Sequence, residues 1–422
     1  VTDPRPPNDS PPQKRPPTPS RRRFLGLTST AVFGTLGGCS ALYPAASRPI
    51  SADDWPLVGY DSAGTAYKPD GLSLRAKPAV RWKRTLPNVT GRSPTPLIYD
   101  GTVYSTAGSF LTVHATDGTT QTHRRKPFGA TPAIATKTAY RNETVVSTDG
   151  RRVYGVNPGT GPRGDLRFRW RTPEPKSSFI QSLLPSGDAV SPVVADGHVF
   201  VPHDTGVESS VRALDPSDGR ERWRYRSDGL SSRVSVYDGV VYIATWVNEF
   251  AALDAETGDV RWRRQPFKEV LTWGYVTAAD HGVYGTRDDY AIAFDRKTGK
   301  RRWLRHLTGD GKYAKIQGTP TVTDETVYVQ TTRDDGDLLL ALDPRSGTTR
   351  WEKPVGEYKR TPVVAGDTVY VPDSRALLAL DAKTGDERWK FETEKAPSPP
   401  AVGAEMVVFT DGFELYALEA SR

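Results

Sequence analysis

At 422 residues, with 38 Gly, 35 Pro, ten Trp and eighteen Tyr, the chain has room for two or three average domains or for one large, turn-rich β domain. The formal net charge is +7, but six Lys/Arg and two Asp lie in residues 1–38, so the remainder carries only +3. That balance argues against a nucleic-acid binder, and a single cysteine, Cys39, excludes any disulfide within the chain.

Residues 1–20 are Pro-rich, polar and without periodicity, the composition of a disordered leader. Ser20-Arg-Arg-Arg-Phe-Leu25 then opens an uncharged apolar run to Gly38. It fits a twin-arginine export signal, with Arg21 and Arg22 as the pair and Phe24 and Leu25 behind them. The run is too short to span a bilayer comfortably. It ends in Leu36-Gly-Gly-Cys39-Ser, which resembles a lipobox, so Cys39 is expected to carry a lipid. The expected organisation is a leader and signal over 1–38, a lipid-anchored tether over 39–52 and one β domain over 53–420. The expected location is the outer face of the cytoplasmic membrane.

After a lead-in around Trp55 comes Ala79-Val-Arg-Trp82-Lys, a strand with no turn phrase before it. Strand starts then recur near Pro94, Thr131, Ser191, Val234, Val276, Thr319, Thr361 and Pro399. Within most of these units one phrase returns, A-x-D-x-x-x-G-x-x-x-W, from Ala213, Ala252, Ala293, Ala341 and Ala379. A period near forty residues signals a repeat architecture. In the copy ending at Trp389 the residues before Asp381 alternate as a strand does. Asp381 suits capping of turn amides, Gly385 a positive φ, and Trp389 burial between neighbouring units. The predicted docking residues are Trp82, Trp170, Trp223, Trp262, Trp303, Trp351 and Trp389. The first unit is degenerate, ending on Thr122, and the second keeps Asn157 in place of the Asp. The last stops at Glu419 without a fourth strand, and the Trp82 strand supplies it. The predicted fold is an all-β, eight-bladed propeller of four-stranded antiparallel blades, closed by that N-terminal strand. Seven blades would leave Trp82 or the last unit unpaired.

The phrase resembles the tryptophan-docking motif of PQQ-like propellers, a family that includes the quinoprotein alcohol dehydrogenases and the BamB lipoproteins of outer-membrane assembly. The resemblance runs from about Trp55 to Leu418. The family resemblance implies either a protein-binding scaffold or a quinone-dependent dehydrogenase. The dehydrogenases usually carry adjacent cysteines over the cofactor and a calcium site beside a catalytic Asp. Adjacent cysteines are absent here. The twin-arginine lipoprotein style looks more like the PQQ-like propeller lipoproteins of halophilic archaea, so only the fold is carried over from BamB.

The longer connections are those between blades and those after each second strand, which fall on one rim. The candidate binding face there comprises Trp246, Trp273, Tyr275, Arg287, Asp288, Asp289, Tyr313, Arg333, Asp334, Arg360 and Arg375. Aromatics mixed with both charge signs suit a protein partner or a polar polymer; the alternative is a set of merely solvated loops. The six His are scattered, and Asp334-Asp335-Gly-Asp337 lacks the alternate spacing of a calcium loop. No nucleophile elbow, zinc-binding pair or phosphate loop appears. The expectation is therefore a monomeric, non-catalytic, membrane-anchored interaction scaffold with no catalytic residues, no metal and no cofactor. A PQQ-dependent dehydrogenase, or a ligand-sensing or ligand-binding lipoprotein, is the alternative.

Overall fold

The computed structural model describes residues 49–86, 94–107, 109–124, 128, 130–136, 138–158, 166–173, 190–204, 209–227, 229–230, 232–267, 274–287, 289–307, 318–333, 336–356 and 360–421. Among them there is no helix, and therefore none long and apolar enough to cross a membrane.

Eight sheets, each with four antiparallel strands, form the eight blades of a β-propeller, and one of them gains a short fifth, parallel strand at its inner edge. Blades 1 to 7 span 97–124, 133–171, 193–227, 235–264, 274–306, 321–355 and 363–392. Blade 8 takes its three inner strands from 401–419, and its outer strand is Ala79–Thr85, antiparallel to Glu414–Glu419 with Trp82 opposite Ala417. The eight-blade count and the closure by the N-terminal strand both hold. Closure leaves neither chain end of the ring as an open sheet edge. Within blades 1, 3 and 4 the first two strands are joined by Asp-Gly pairs at 100–101, 196–197 and 238–239, all at positive φ, the conformation of a tight hairpin turn.

The repeated phrase is a docking device between blades. Trp223 Nε1 donates to Ala255 O of the next blade at 2.9 Å, Trp262 to Arg296 O at 3.0 Å, and Trp303 to Pro344 O at 3.0 Å. Trp82, Trp170 and Trp351 do the same onto Ala115, Pro216 and Ala382. Each acceptor directly follows the turn's capping position, so the indole seals the turn of its neighbour. The turn glycine is the floor on which that indole lies: a Cβ on Gly258 would sit 2.8 Å from Trp223, and one on Gly299 2.6 Å from Trp262. Glycine is therefore required twice, for its φ of 80° at Gly258 and for this close approach. Trp389 is the exception, donating to Leu74 O at 2.6 Å because blade 8 reaches its outer strand without such a turn.

The Arg before each Trp belongs to the same device. Arg261, Arg302, Arg350 and Arg388 donate to Asp254, Asp295, Asp343 and Asp381 of their own turns at 2.7–2.9 Å. Arg222 pairs likewise with Asp215. In blade 8 Arg81 faces Glu419 at 3.8 Å, and in blade 2 Arg169 reaches Asn157 at 3.4 Å. Blade 1 replaces the ion pair with a Gln121–His114 hydrogen bond of 2.9 Å.

The segment before the closing strand fills the middle of the ring. Trp55 exchanges backbone hydrogen bonds with Ile98 of blade 1, and Pro56 O accepts from Ile134 of blade 2. Ser62 O, Thr65 O and Ala66 O accept from Val236, Val322 and Val364 of blades 4, 6 and 7. Tyr67–Lys68 runs parallel to Val363–Ala365, and Leu72 N donates to Gly403 O of blade 8. The inner edges of these strands would otherwise present unpaired amides to the axis.

Candidate functional site

Several residues of the candidate binding face lie outside the described residues. They are Trp273, Asp288, Tyr313, Asp334 and the side chain of Arg333, and Arg21, Arg22, Phe24, Leu25 and Cys39 lie outside as well. The rest of the candidate set divides. Trp246 and Arg287 meet on the seam between blades 4 and 5, Tyr275 and Asp289 belong to blade 5, Arg375 to blade 7, and Arg360 to the connection before it.

On the seam, Trp246 follows the second strand of blade 4 and keeps 39% of its surface exposed while its Nε1 donates to Leu230 O at 3.2 Å. Arg287 departs from the expectation of an exposed binding residue. It is buried, and its guanidinium donates to Thr245 O at 2.8 Å and to Trp246 O. A second-strand position in blade 5 aims it at the preceding blade, where its charge ties two blades together. Tyr275 is half-buried, and burial pushes its hydroxyl pKa up. Asp289 Oδ2 is 2.5 Å from His306 Nε2, and the His306 ring packs on Tyr290, which packs on Phe267.

Three residues escaped the sequence reading, two of them near this seam and one, Glu249, on the seam between blades 3 and 4. Asn248 bonds both backbone groups of Phe267, one of them at 3.2 Å, and so holds the next connection against blade 4. Glu249 accepts from Tyr225 at 3.1 Å and pairs with Arg263 at 3.2 Å. His306 completes the pair with Asp289. Asn248 and Glu249 precede the motif alanine Ala252 by four and three residues and His306 follows Trp303 by three, outside the repeated phrase; only the positive φ of 66° at Asn248 has a sequence signal, since Asn tolerates it.

Inside the ring the polar groups are spent on the chain itself. Lys68 is fully buried, with Nζ donating to Asp54 O and Val402 O at 3.0 Å each and to Ala52 O. Burial pulls its pKa down, against the pull of Asp70, Asp54 and Asp53. Arg233 donates to Val58 O at 3.0 Å and Ala63 O at 3.5 Å, and burial lowers its pKa to about 10. Asp61 beside it is raised by burial, although Thr65 donates to both its oxygens. Among the described residues no group of three or more His, Cys, Asp or Glu is placed to hold a metal ion.

Residues 207–419, half of the chain, match the family described as outer membrane protein assembly factor BamB. The chain belongs to this PQQ-like propeller family. A 1-butanol dehydrogenase (quinone) from Thauera butanivorans is 31% identical over 169 residues, covering 36% of this chain and 26% of that protein. Among solved structures, a quinohemoprotein alcohol dehydrogenase from Pseudomonas putida HK5 superposes with a TM-score of 0.70 at 14% identity, over 89% of this chain and 82% of that one. BamB from Moraxella catarrhalis gives 0.57 at 16% identity, over 81% of this chain and all of that one. These superpositions establish a shared fold. The match spans 25% to 33% of the length of the first curated dehydrogenases.

Pyrroloquinoline quinone is a planar tricarboxylate that works beside a divalent cation, so its seat needs cations facing the carboxylates and a set of metal ligands. Among the described residues the fit is poor. Buried Lys68 and Arg287 and half-buried Arg233 point their N–H groups at backbone carbonyls.

Proposed function

We propose that this PQQ-like propeller is a non-catalytic scaffold, exported and held at the membrane by a lipid on Cys39, which docks a protein partner on its loop-rich rim. The observation that carries the reading is the filled interior, where Lys68 and Arg233 bind the lead-in segment to the blades and spend their charges on the chain itself. Its likeness to a family described by an assembly factor supports a role in binding.

Two measurements test this. The purified protein mixed with PQQ and calcium is expected to show neither stoichiometric cofactor absorbance nor dye-linked oxidation of ethanol or 1-butanol; turnover would overturn the scaffold reading. Crosslinking in membranes of the source cells is expected to give a defined adduct that is lost in a Trp246→Ala/Arg375→Glu double variant, while Cys39→Ser releases the protein to the medium. An adduct unaffected by the rim changes would place docking elsewhere. The dehydrogenase reading is favoured only by the local identity to quinone-dependent enzymes and is decided by the first measurement.

A further inference from the structure

We propose that the outer corner of blade 5, the turn at 297–301 together with Arg264 of blade 4, docks an acidic segment of a protein partner. This corner lies on the rim opposite the long connections, so the proposal goes beyond the scaffold reading and stands without it.

The repeat supplies the internal control. From the capping acid to the residue before the docking Trp, blade 5 reads Asp295-Arg-Lys-Thr-Gly-Lys-Arg-Arg302, five cations against one acid. The same eight positions hold two cations against three acids in blades 3 and 7, one against three in blade 4, and two against one in blade 6. Blade 5 keeps the residues that the docking device uses, Asp295, Gly299, Arg302 and Trp303. Its excess charge falls on positions that the device leaves free. The counterparts of Lys297, Lys300 and Arg301 are Glu256, Asp259 and Val260 in blade 4, and Lys383, Asp386 and Glu387 in blade 7. The fold therefore needs no cation at any of the three.

These charges are also unspent. Arg296 pairs with Asp238 and Asp280, and Arg302 with Asp295. Lys297, Lys300 and Arg301 are exposed and form no ion pair with any described residue. Exposed Arg264 adds a fourth charge, its guanidinium donating to Gly299 O at 3.1 Å and to Thr298 O. Four cations gathered around one turn repel one another, and an anion placed among them relieves that repulsion.

The turn's own bonding selects the kind of anion. The amides of Thr298, Gly299 and Lys300 are taken by Asp295 and by Thr298 Oγ1, so these three form no backbone nest for a single phosphate. The attraction comes from separate side chains, which suits a run of carboxylates. Turns after the first and third strands of a blade fall on one rim, because successive strands are antiparallel. A flat anionic bilayer against this rim would therefore also meet exposed Asp196, Asp238, Asp280 and Asp324, in the first hairpins of blades 3 to 6. A peptide segment reaches the corner without them. Val260 is 43% exposed and lies two residues before Trp262, the indole that packs on Gly299, so it offers an apolar contact that a peptide side chain covers.

The test titrates the full-length chain with decaglutamate, followed by fluorescence anisotropy. The peptide is expected to bind, and to bind more weakly as salt is raised. Its affinity is expected to fall about tenfold or more in the Lys297→Glu/Lys300→Asp/Arg301→Glu variant, since three exposed pairings are reversed. Sibling blades carry an acid at each of these positions, so the variant is expected to melt as the parent does. Should it fail to fold, the three single changes read the same contact, each expected to weaken binding about threefold. Arg220→Asp, the matching reversal in blade 3, is expected to leave affinity unchanged. Absence of binding, affinity unchanged in the triple and single variants, or an equal loss in Arg220→Asp would overturn the proposal. So would tighter binding, through these same cations, of phosphatidylglycerol vesicles or of a hyaluronate oligosaccharide of equal charge, since a membrane or a polysaccharide would then be the occupant.

Discussion

At the scale of single residues, the seam between blades rests on a glycine that must be bare and an indole that must lie flat on it. Gly258 and Gly239 separate these two demands. Both have positive φ, of 80° and 68°, but a Cβ on Gly258 would meet Trp223 at 2.8 Å while one on Gly239 would meet nothing within 4 Å. Gly239→Ala is expected to cost about 1 kcal/mol, the left-handed backbone term alone. Gly258→Ala is expected to cost roughly 2–4 kcal/mol, because overpacking is added to the same term. Urea melts of the two variants read the difference directly, and equal losses would mean that the Trp gives way. The Arg of the phrase contributes less. Arg350 is 41% exposed and its pair with Asp343 is solvated, so Arg350→Ala is expected to cost about 0.5 kcal/mol. Arg388, 12% exposed and bonded to Asp367, Thr368 and Asp381 together, is expected to cost more in the same assay.

At the scale of elements, the N-terminal segment does two jobs that separate variants can distinguish. The strand Ala79–Thr85 completes blade 8, and its Trp82 docks on blade 1. Trp82→Ala is expected to cost roughly 3–5 kcal/mol, as large core truncations do. Deleting 76–86 is expected to abolish cooperative unfolding and promote aggregation by baring the edge of Glu414–Glu419, which light scattering during thermal melting would report. Residues 51–74 instead fasten the inner strands around Lys68. Lys68→Met is expected to destabilise by about 2 kcal/mol, since the buried carbonyls of Asp54 and Val402 lose their donor. A Lys68→Met protein with unchanged melting would mean that the segment sits on the ring without holding it.

At the scale of the whole molecule, the repeated turn carboxylates set the response to acid. Arg261 holds Asp254 below the ordinary carboxylate range, the Thr298 amide and hydroxyl do so for Asp295, and Arg350 does so for Asp343. A carboxyl whose folded pKa is depressed stabilises the fold fully above its unfolded value, near 3.9, and loses that contribution as pH falls through the folded value. The melting temperature is therefore expected to stay level from about pH 7 to 5 and to fall below about pH 4. Salt at high concentration is expected to shrink the drop, because these pairs stand near solvent. A melting temperature that rises into acid would contradict the role of the turns.

The repeat phrase by itself determined the strand order, the number of blades and the closure, because each depends on local alternation and on a turn that recurs with fixed spacing. The docking tryptophans were legible for the same reason: a large apolar residue repeated once per unit has to be buried between units. The Arg–Asp pairs lay within the same phrase but were not legible there, since a sequence does not show which acid an arginine folds back upon. Arg287 and Glu249 were decided only by the tertiary structure. Their surroundings come from a neighbouring blade or from the far side of a hairpin, and burial of a polar side chain depends on what packs against it rather than on the residues beside it in the chain. The filling of the axis was decided there too, because the lead-in segment has no repeat partner, and its hydrogen bonds reach inner strands up to some three hundred residues away.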